Sequence, residues 1–195
     1  MEIHLITNQT KACYETILNI HKEVSYIHLR ERQLSPREVC DLITYLLKNG
    51  IPKNKLIIND RADIAYVYGL YGVQLTYNSI SLSMVKRSFP TLVIGKSVHS
   101  VKEAISASEQ GANFVFFGHI WPTSSHPNEM PQGLQKLSQV VSSINTPVIA
   151  IGGIKPNCVP LVKQTGAKGV AVISGILNAN NPLQAVMSYK NMLNV

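Results

Sequence analysis

Two rhythms of apolar residues alternate along the chain. In the first, short continuous runs such as Pro147-Val148-Ile149-Ala150-Ile151-Gly152-Gly153 and Gly169-Val170-Ala171-Val172-Ile173-Ser174-Gly175 stop at turns of small residues. They lack polar alternation, which marks parallel strands covered on both faces. Similar runs begin near Glu2, Val24, Lys55, Gly72, Leu92 and Asn113, making eight in all. In the second rhythm, between the runs, apolar positions recur with the helical period of about 3.6 residues, as at Val39, Leu42, Ile43, Leu46 and Leu47. Helix starts are marked by Ser35-Pro36-Arg37-Glu38, an N-cap Ser with Pro at the first helical position and Glu at the third, and by Ser100-Val101-Lys102-Glu103, the same box without the Pro. Gly50, Gly111 and Gly166 fall where left-handed caps would end helices. Strand and helix alternating eight times, about 20–30 residues per unit, predict a (β/α)8 TIM barrel forming one domain over residues 1–195. An open doubly wound sheet is the alternative.

Composition narrows the function classes. Apolar residues make up 45% of the chain, enough for one sizeable core. The first residues enter a strand at once, with no charged region and apolar stretch of a secretory signal, and no apolar run approaches the roughly 18 residues of a membrane helix. The expectation is a cytoplasmic protein with no membrane partner. Cys13, Cys40 and Cys158 are odd in number and widely spaced, which fits neither a disulfide framework nor a zinc motif and leaves them as apolar fillers. A net charge of +7 favours anionic partners. The basic residues are scattered and not interleaved with aromatics, so small phosphorylated ligands are expected and nucleic acid is not.

In a barrel of this kind chemistry gathers at the C-terminal strand ends. Polar residues recur there: His28-Leu29-Arg30-Glu31-Arg32, Ile58-Asn59-Asp60-Arg61, Val73-Gln74-Leu75, Gly95-Lys96-Ser97-Val98-His99 and Phe117-Gly118-His119-Ile120-Trp121-Pro122-Thr123. The glycine-bearing ends of strands 7 and 8 leave backbone N–H groups unshielded, and a following helix would add its positive end. Gly152, Gly153, Ser174 and Gly175 are therefore the candidate phosphate cradle.

Taken together, the segments His4-Leu5-Ile6-Thr7, His28-Leu29-Arg30-Glu31-Arg32, Gly95-Lys96-Ser97-Val98-His99-Ser100, Phe117-Gly118-His119-Ile120 and Ile149-Ala150-Ile151-Gly152-Gly153 resemble the thiamin phosphate synthase superfamily. Within it they are most similar to the sister group of bacterial thiazole tautomerases. The synthases hold Mg²⁺ and pyrophosphate with an Asp after strand 3, a second Asp after strand 4, and a Thr/Lys-bearing loop after strand 6. Here Asp60 stands at the first place, Thr76-Tyr77-Asn78-Ser79-Ile80 carries no carboxylate at the second, and Thr123-Ser124-Ser125-His126-Pro127-Asn128 carries no Lys at the third. Where the synthases have Gly-Pro, this chain has Gly118-His119, the place of the tautomerases' acid-base residue. The resemblance thus implies a cofactor-free, metal-free isomerase that aromatises a carboxythiazole phosphate, with a homodimer as the expected assembly. His119 would be the general base and then acid, since imidazole exchanges protons near neutrality. Arg30 and Arg32 would fork onto carboxylate or phosphate oxygens, and Asn59 and Ser97 would orient the ring.

Two other functions stay open: a synthase joining thiazole phosphate to a pyrimidine pyrophosphate, and a barrel that binds a thiamin precursor without turnover. Some polar residues have plainer readings. His28 and Gln74 would form a satisfied polar layer inside the barrel, and Asp60 would cap the helix beginning at Arg61. Trp121-Pro122 would form a rigid shoulder, and His126 would lie on the surface.

Overall fold

The computed structural model describes residues 1–193. Eight strands run parallel: β1 (Glu2–Ile6), β2 (Tyr26–Leu29), β3 (Leu56–Asn59), β4 (Gly72–Leu75), β5 (Val93–Val98), β6 (Phe114–Gly118), β7 (Val148–Ile151) and β8 (Gly169–Val172). Each pairs with its sequence neighbour, and β8 closes on β1 through Glu2 opposite Gly169 and His4 opposite Ala171. The result is a closed (β/α)8 barrel, and the strands begin within two residues of the predicted places. Helices α1 (Lys11–Ile20), α2 (Pro36–Lys48), α3 (Ala62–Tyr68), α4 (Leu82–Ser88), α5 (Val101–Glu109), α6 (Gly133–Ser143), α7 (Val159–Gln164), α8 (Ser174–Leu177) and α9 (Pro182–Leu193) lie outside the strands. Among the described residues no helix is long and apolar enough to cross a membrane.

Strand alternation divides the apolar residues into two cores. Leu5, Ile27, Leu29, Ile58, Val73, Ile94, Val115, Phe117, Ala150 and Val170 face outward and pack with the helices, including the buried Val39, Leu42, Ile43 and Leu46 of α2. Ile6, Ile57, Phe114, Phe116, Ile149 and Ala171 face inward and fill the barrel. Side chains therefore plug the lower barrel, and any ligand must sit above them at the C-terminal rim.

The start of α2 is built as predicted. Ser35 Oγ accepts from the Glu38 N–H, and the Glu38 carboxylate accepts from the Ser35 N–H at 2.8 Å. At α5 the Ser100 hydroxyl accepts from the Glu103 N–H, but the Glu103 carboxylate reaches the His99 N–H at 2.9 Å instead of closing the box. Gly50, Gly111 and Gly166 follow their helices with φ of 90°, 87° and 84°. Asp60 departs from the reading as a helix cap. Arg61 occupies the cap position of α3 without a side-chain bond, and Asp60, at φ 64°, turns its carboxylate to the Ser79 hydroxyl across the rim. Cys13 is buried, and burial raises its thiol pKa to about 11, which fits an inert filler; Cys40 and Cys158 are half-buried.

Candidate active site at the barrel mouth

A cavity of about 510 Å³ opens at the C-terminal ends of the strands. Arg30, Arg32, Asn59 and Ser97 line one side, and Gly152, Gly153, Ser174 and Gly175 the other. His119 closes the gap between them at the end of β6. The rim thus brings together all nine residues singled out from the strand ends.

The wall formed by β6 and β7 is set by main chain. Ile120 N–H donates to Ile151 O at 2.9 Å and Trp121 N–H to Gly152 O at 3.1 Å, so the loop after β6 lies directly on the turn after β7. The approach is close enough that a Cβ at Gly152 would fall 2.2 Å from the His119 Cβ, and one at Gly153 would fall 2.6 Å from the carbonyl oxygens of Trp121 and Pro122. Both residues also have positive φ, 93° and 67°. Glycine is required here on two counts, space and backbone conformation. Gly175 leaves room for the hydroxyl of Tyr189, which donates to Ile154 O at 2.8 Å. The helix expected to add a positive dipole end is only the four residues of α8, so little macrodipole is available and an anion here depends on loop amides and the Ser174 hydroxyl.

The opposite wall is built from side chains. Arg30 N–H donates to the Thr7 hydroxyl at 2.9 Å, and that hydroxyl donates in turn to the Glu31 carboxylate, pinning the chain where it leaves β2. Arg30 is half-buried. Its pKa is pushed down by burial and by the neighbouring Arg32, with Asp60 and Glu31 acting the other way. Lys96 donates to Thr76 O at 2.6 Å, and burial lowers its pKa against the pull of Asp60 and Glu103. The Arg30–Arg32 pair, crowded in this way, is stabilised by an added anion.

The floor holds a chain of buried polar groups, not the fully satisfied layer expected. Glu2 Oε2 lies 3.3 Å from His4 Nε2, and His4 Nδ1 lies 2.9 Å from His28 Nε2. Burial holds both imidazoles neutral by lowering their pKa values, most strongly for His28. The carboxylate can only accept, so His4 carries its proton on Nε2, accepts at Nδ1, and forces the His28 proton onto Nε2. His28 Nδ1 is left as a bare acceptor without a partner. Gln74 donates through Nε2 to Ser97 Oγ at 3.0 Å, and its Oε1 is likewise unpaired. Both unpaired acceptors are sealed within the floor beneath the cavity.

The loop joining β6 to α6 supplies two residues that sequence reasoning missed. His126 is exposed as expected, but its ring stacks on His119, with centroids 5.2 Å apart and planes at 3°. Its Nδ1 lies 3.0 Å from the Glu129 carboxylate. Only the i, i+3 spacing of His126 and Glu129 hinted at this pairing.

The donor set does not fit a hard-cation site of the kind expected in a synthase. Mg²⁺ takes oxygen ligands in octahedral array. The β3–β4 rim offers one carboxylate, Asp60, which is already bonded to Ser79 and faces Arg30 and Lys96.

Comparison with known proteins places the chain in a family. The thiamine monophosphate synthase family model matches residues 3–176. The thiamine-phosphate synthase of Chlorobium luteolum is 38% identical over 172 residues, covering 86% of this chain and 81% of that protein. That of Methanococcus vannielii is 30% identical over 184 residues, covering 93% and 89%. Among solved structures, thiamine phosphate pyrophosphorylase from Pyrococcus furiosus superposes with a TM-score of 0.85 at 27% identity, covering 99% of this chain and 95% of that one. These relatives overturn the expectation of an isomerase. Similarity sustained over most of the chain points to a transferase and outweighs the one position, His119, on which a tautomerase was inferred. The chain belongs to the thiamine monophosphate synthase family.

Proposed function

We propose that this protein is a transferase of thiamin biosynthesis that joins thiazole phosphate to a pyrimidine pyrophosphate. The observation that supports this reading is that the glycine turns of β7 and β8 and the arginines after β2 line one cavity. A reaction between a phosphate and a pyrophosphate would occupy both, and the relatives of this chain are named for that transfer. The glycine wall of Gly152, Gly153, Ser174 and Gly175 suits the compact phosphate, gripped by main-chain N–H groups. Arg30 and Arg32 suit the more highly charged pyrophosphate, with Asn59 and Ser97 as neutral donors beside it.

In the transfer, the thiazole nitrogen lone pair forms a C–N bond to the exocyclic methylene of the pyrimidine. The C–O bond to pyrophosphate breaks, and pyrophosphate departs with the electron pair, leaving a thiazolium cation. No proton moves and no electrons are exchanged with a cofactor. The work left to the protein is alignment and stabilisation of charge on the leaving group, which the guanidinium pair performs in a site partly shielded from water. His119 transfers no proton in this reaction; its ring walls the cavity between the two substrates.

The test is incubation of the purified chain with both substrates, with and without added Mg²⁺. Thiamin phosphate and pyrophosphate are expected to appear in equal amounts. Failure to form either product while both substrates bind would sink the reading.

A further inference from the structure

We infer that His119, His126 and Glu129 form a three-ligand site for a borderline divalent metal such as Zn²⁺ or Co²⁺, with its remaining coordination positions open to the cavity. One imidazole nitrogen from each histidine and one carboxylate oxygen all lie within 4.8 Å of one another. Ligands sharing a tetrahedral ion with bonds of about 2.0–2.1 Å stand roughly 3.4 Å apart. His126 Nδ1 and Glu129 Oε1 are already at 3.0 Å. Closure requires the His126 ring to turn out of its stack on His119 and the Glu129 carbonyl to release His119 Nε2, and the groups that must move are exposed: the His126 and Glu129 side chains are 47% and 67% accessible. His119 is the fixed member, buried at the end of β6 and backed by the turn at Gly152.

The chemistry selects the class of ion. Two imidazoles and one carboxylate favour zinc, cobalt or nickel over magnesium or calcium, which prefer oxygen throughout. Three protein ligands leave at least one position for an exchangeable ligand, as in catalytic rather than structural metal sites. His99, the other histidine of this rim, lies 3.3 Å from Gly118 O through its Nδ1 and is not needed as a ligand.

The loop that carries the ligands holds no competing cation, although Arg30, Arg32 and Lys155 line the same cavity. Residues 119–132, the loop that covers the glycine wall, contain no Lys or Arg. A metal held by His119, His126 and Glu129 would give this loop a positive charge facing the cavity, and its open position would take a phosphate or pyrophosphate oxygen. The inference concerns metal binding and stands whether or not the chain is a transferase.

Co²⁺ is the probe, added to untagged, chelator-treated full-length protein. Trp121, two residues beyond His119, is the single tryptophan of the chain, so its fluorescence reports binding nearby. One equivalent of Co²⁺ is expected to quench it and to develop the visible absorption of a nitrogen- and oxygen-ligated ion, and inorganic pyrophosphate is expected to shift that absorption. His126→Ala and Glu129→Gln should each weaken binding at least about tenfold, whereas Cys158→Ser should leave it unchanged. Circular dichroism of the two loop variants should match the parent, since both side chains are exposed. Absence of quenching and visible absorption, or equal affinity in parent and loop variants, overturns the site.

Discussion

The two walls of the cavity are made of different material. Across the β6–β7 wall the geometry is carried by backbone: paired main-chain bonds join the two loops, and glycine is required because no Cβ fits. Across the β2–β5 wall it is carried by the side chains of Arg30, Arg32, Asn59 and Ser97. A backbone wall admits an anion of one shape in one place. A side-chain wall adapts to an anion that changes its charge and bonding during reaction. This division matches a substrate phosphate that must stay still and a leaving group that must depart.

The largest effect should come from adding a methyl group to the rigid wall. In Gly152→Ala the new carbon meets the His119 Cβ and is held at an unfavourable φ, so the loop after β6 must move. We expect a loss of about 2–4 kcal/mol in urea unfolding. Transferase activity should fall by about 10²-fold, because displacement of a substrate-positioning wall by about 1 Å is enough. A variant as stable and active as the parent would show that the wall yields, and the contrast between the walls would collapse.

Arg30→Ala tests the adaptable wall. Removing a charge-assisted contact worth about 1.5–3 kcal/mol should cost about 10–10²-fold in kcat/KM for the pyrophosphate substrate. Arg30→Lys should recover part of it, since charge is kept and the fork is lost. Melting temperature should be unchanged, in contrast to Gly152→Ala. An equal loss for both substrates would mean that Arg30 holds the wall together and does not grip one anion.

The contrast between the walls also explains which parts of the site were legible in the sequence. Strands announce themselves as continuous apolar runs, and Gly152-Gly153 at the end of such a run is read directly because the backbone constraint lies in the residue type. The rim facing it depends on contacts between segments far apart in the chain. Asp60 stands where a helix cap would stand, and nothing local reveals that Ser79 draws its carboxylate away. His126 reaches His119 only because the intervening loop folds back, a path that no periodicity encodes. The choice of chemistry went astray for a related reason. It rested on Gly118-His119 and on missing carboxylates, local signals that say little about the rest of a pocket assembled from all eight strands.

Beneath both walls, the neutral histidines of the floor make stability depend on pH. Burial holds the folded-state pKa values of His4 and His28 below the unfolded value of about 6.5. Below that pH the unfolded chain binds more protons than the folded one, so their contribution is complete above about pH 6.5 and is lost on acidification. Each should contribute a slope of up to about 1.4 kcal/mol per pH unit. His21 is also buried with a lowered pKa, so His28→Gln should remove about a third of the acid-side slope in urea unfolding measured between pH 7 and 5. An unchanged slope would remove the relay from Glu2 to His28 as the basis of the floor.

The smallest expected effect probes why the adaptable wall relies on cations. Ser79→Asp places a second carboxylate beside Asp60, in a rim that now has one. With two hard oxygen ligands and a pyrophosphate to share, Mg²⁺ gains an anchor that the parent lacks. Without the metal, the added negative charge opposes the negative leaving group and should slow transfer a few-fold. Initial rates across a Mg²⁺ series at fixed pyrophosphate substrate should therefore rise more steeply for the variant than for the parent. Parallel curves would mean that Asp60 alone, even bonded to Ser79 and crowded by Arg30 and Lys96, already serves a cation, and the wall would have to be understood as metal-bearing.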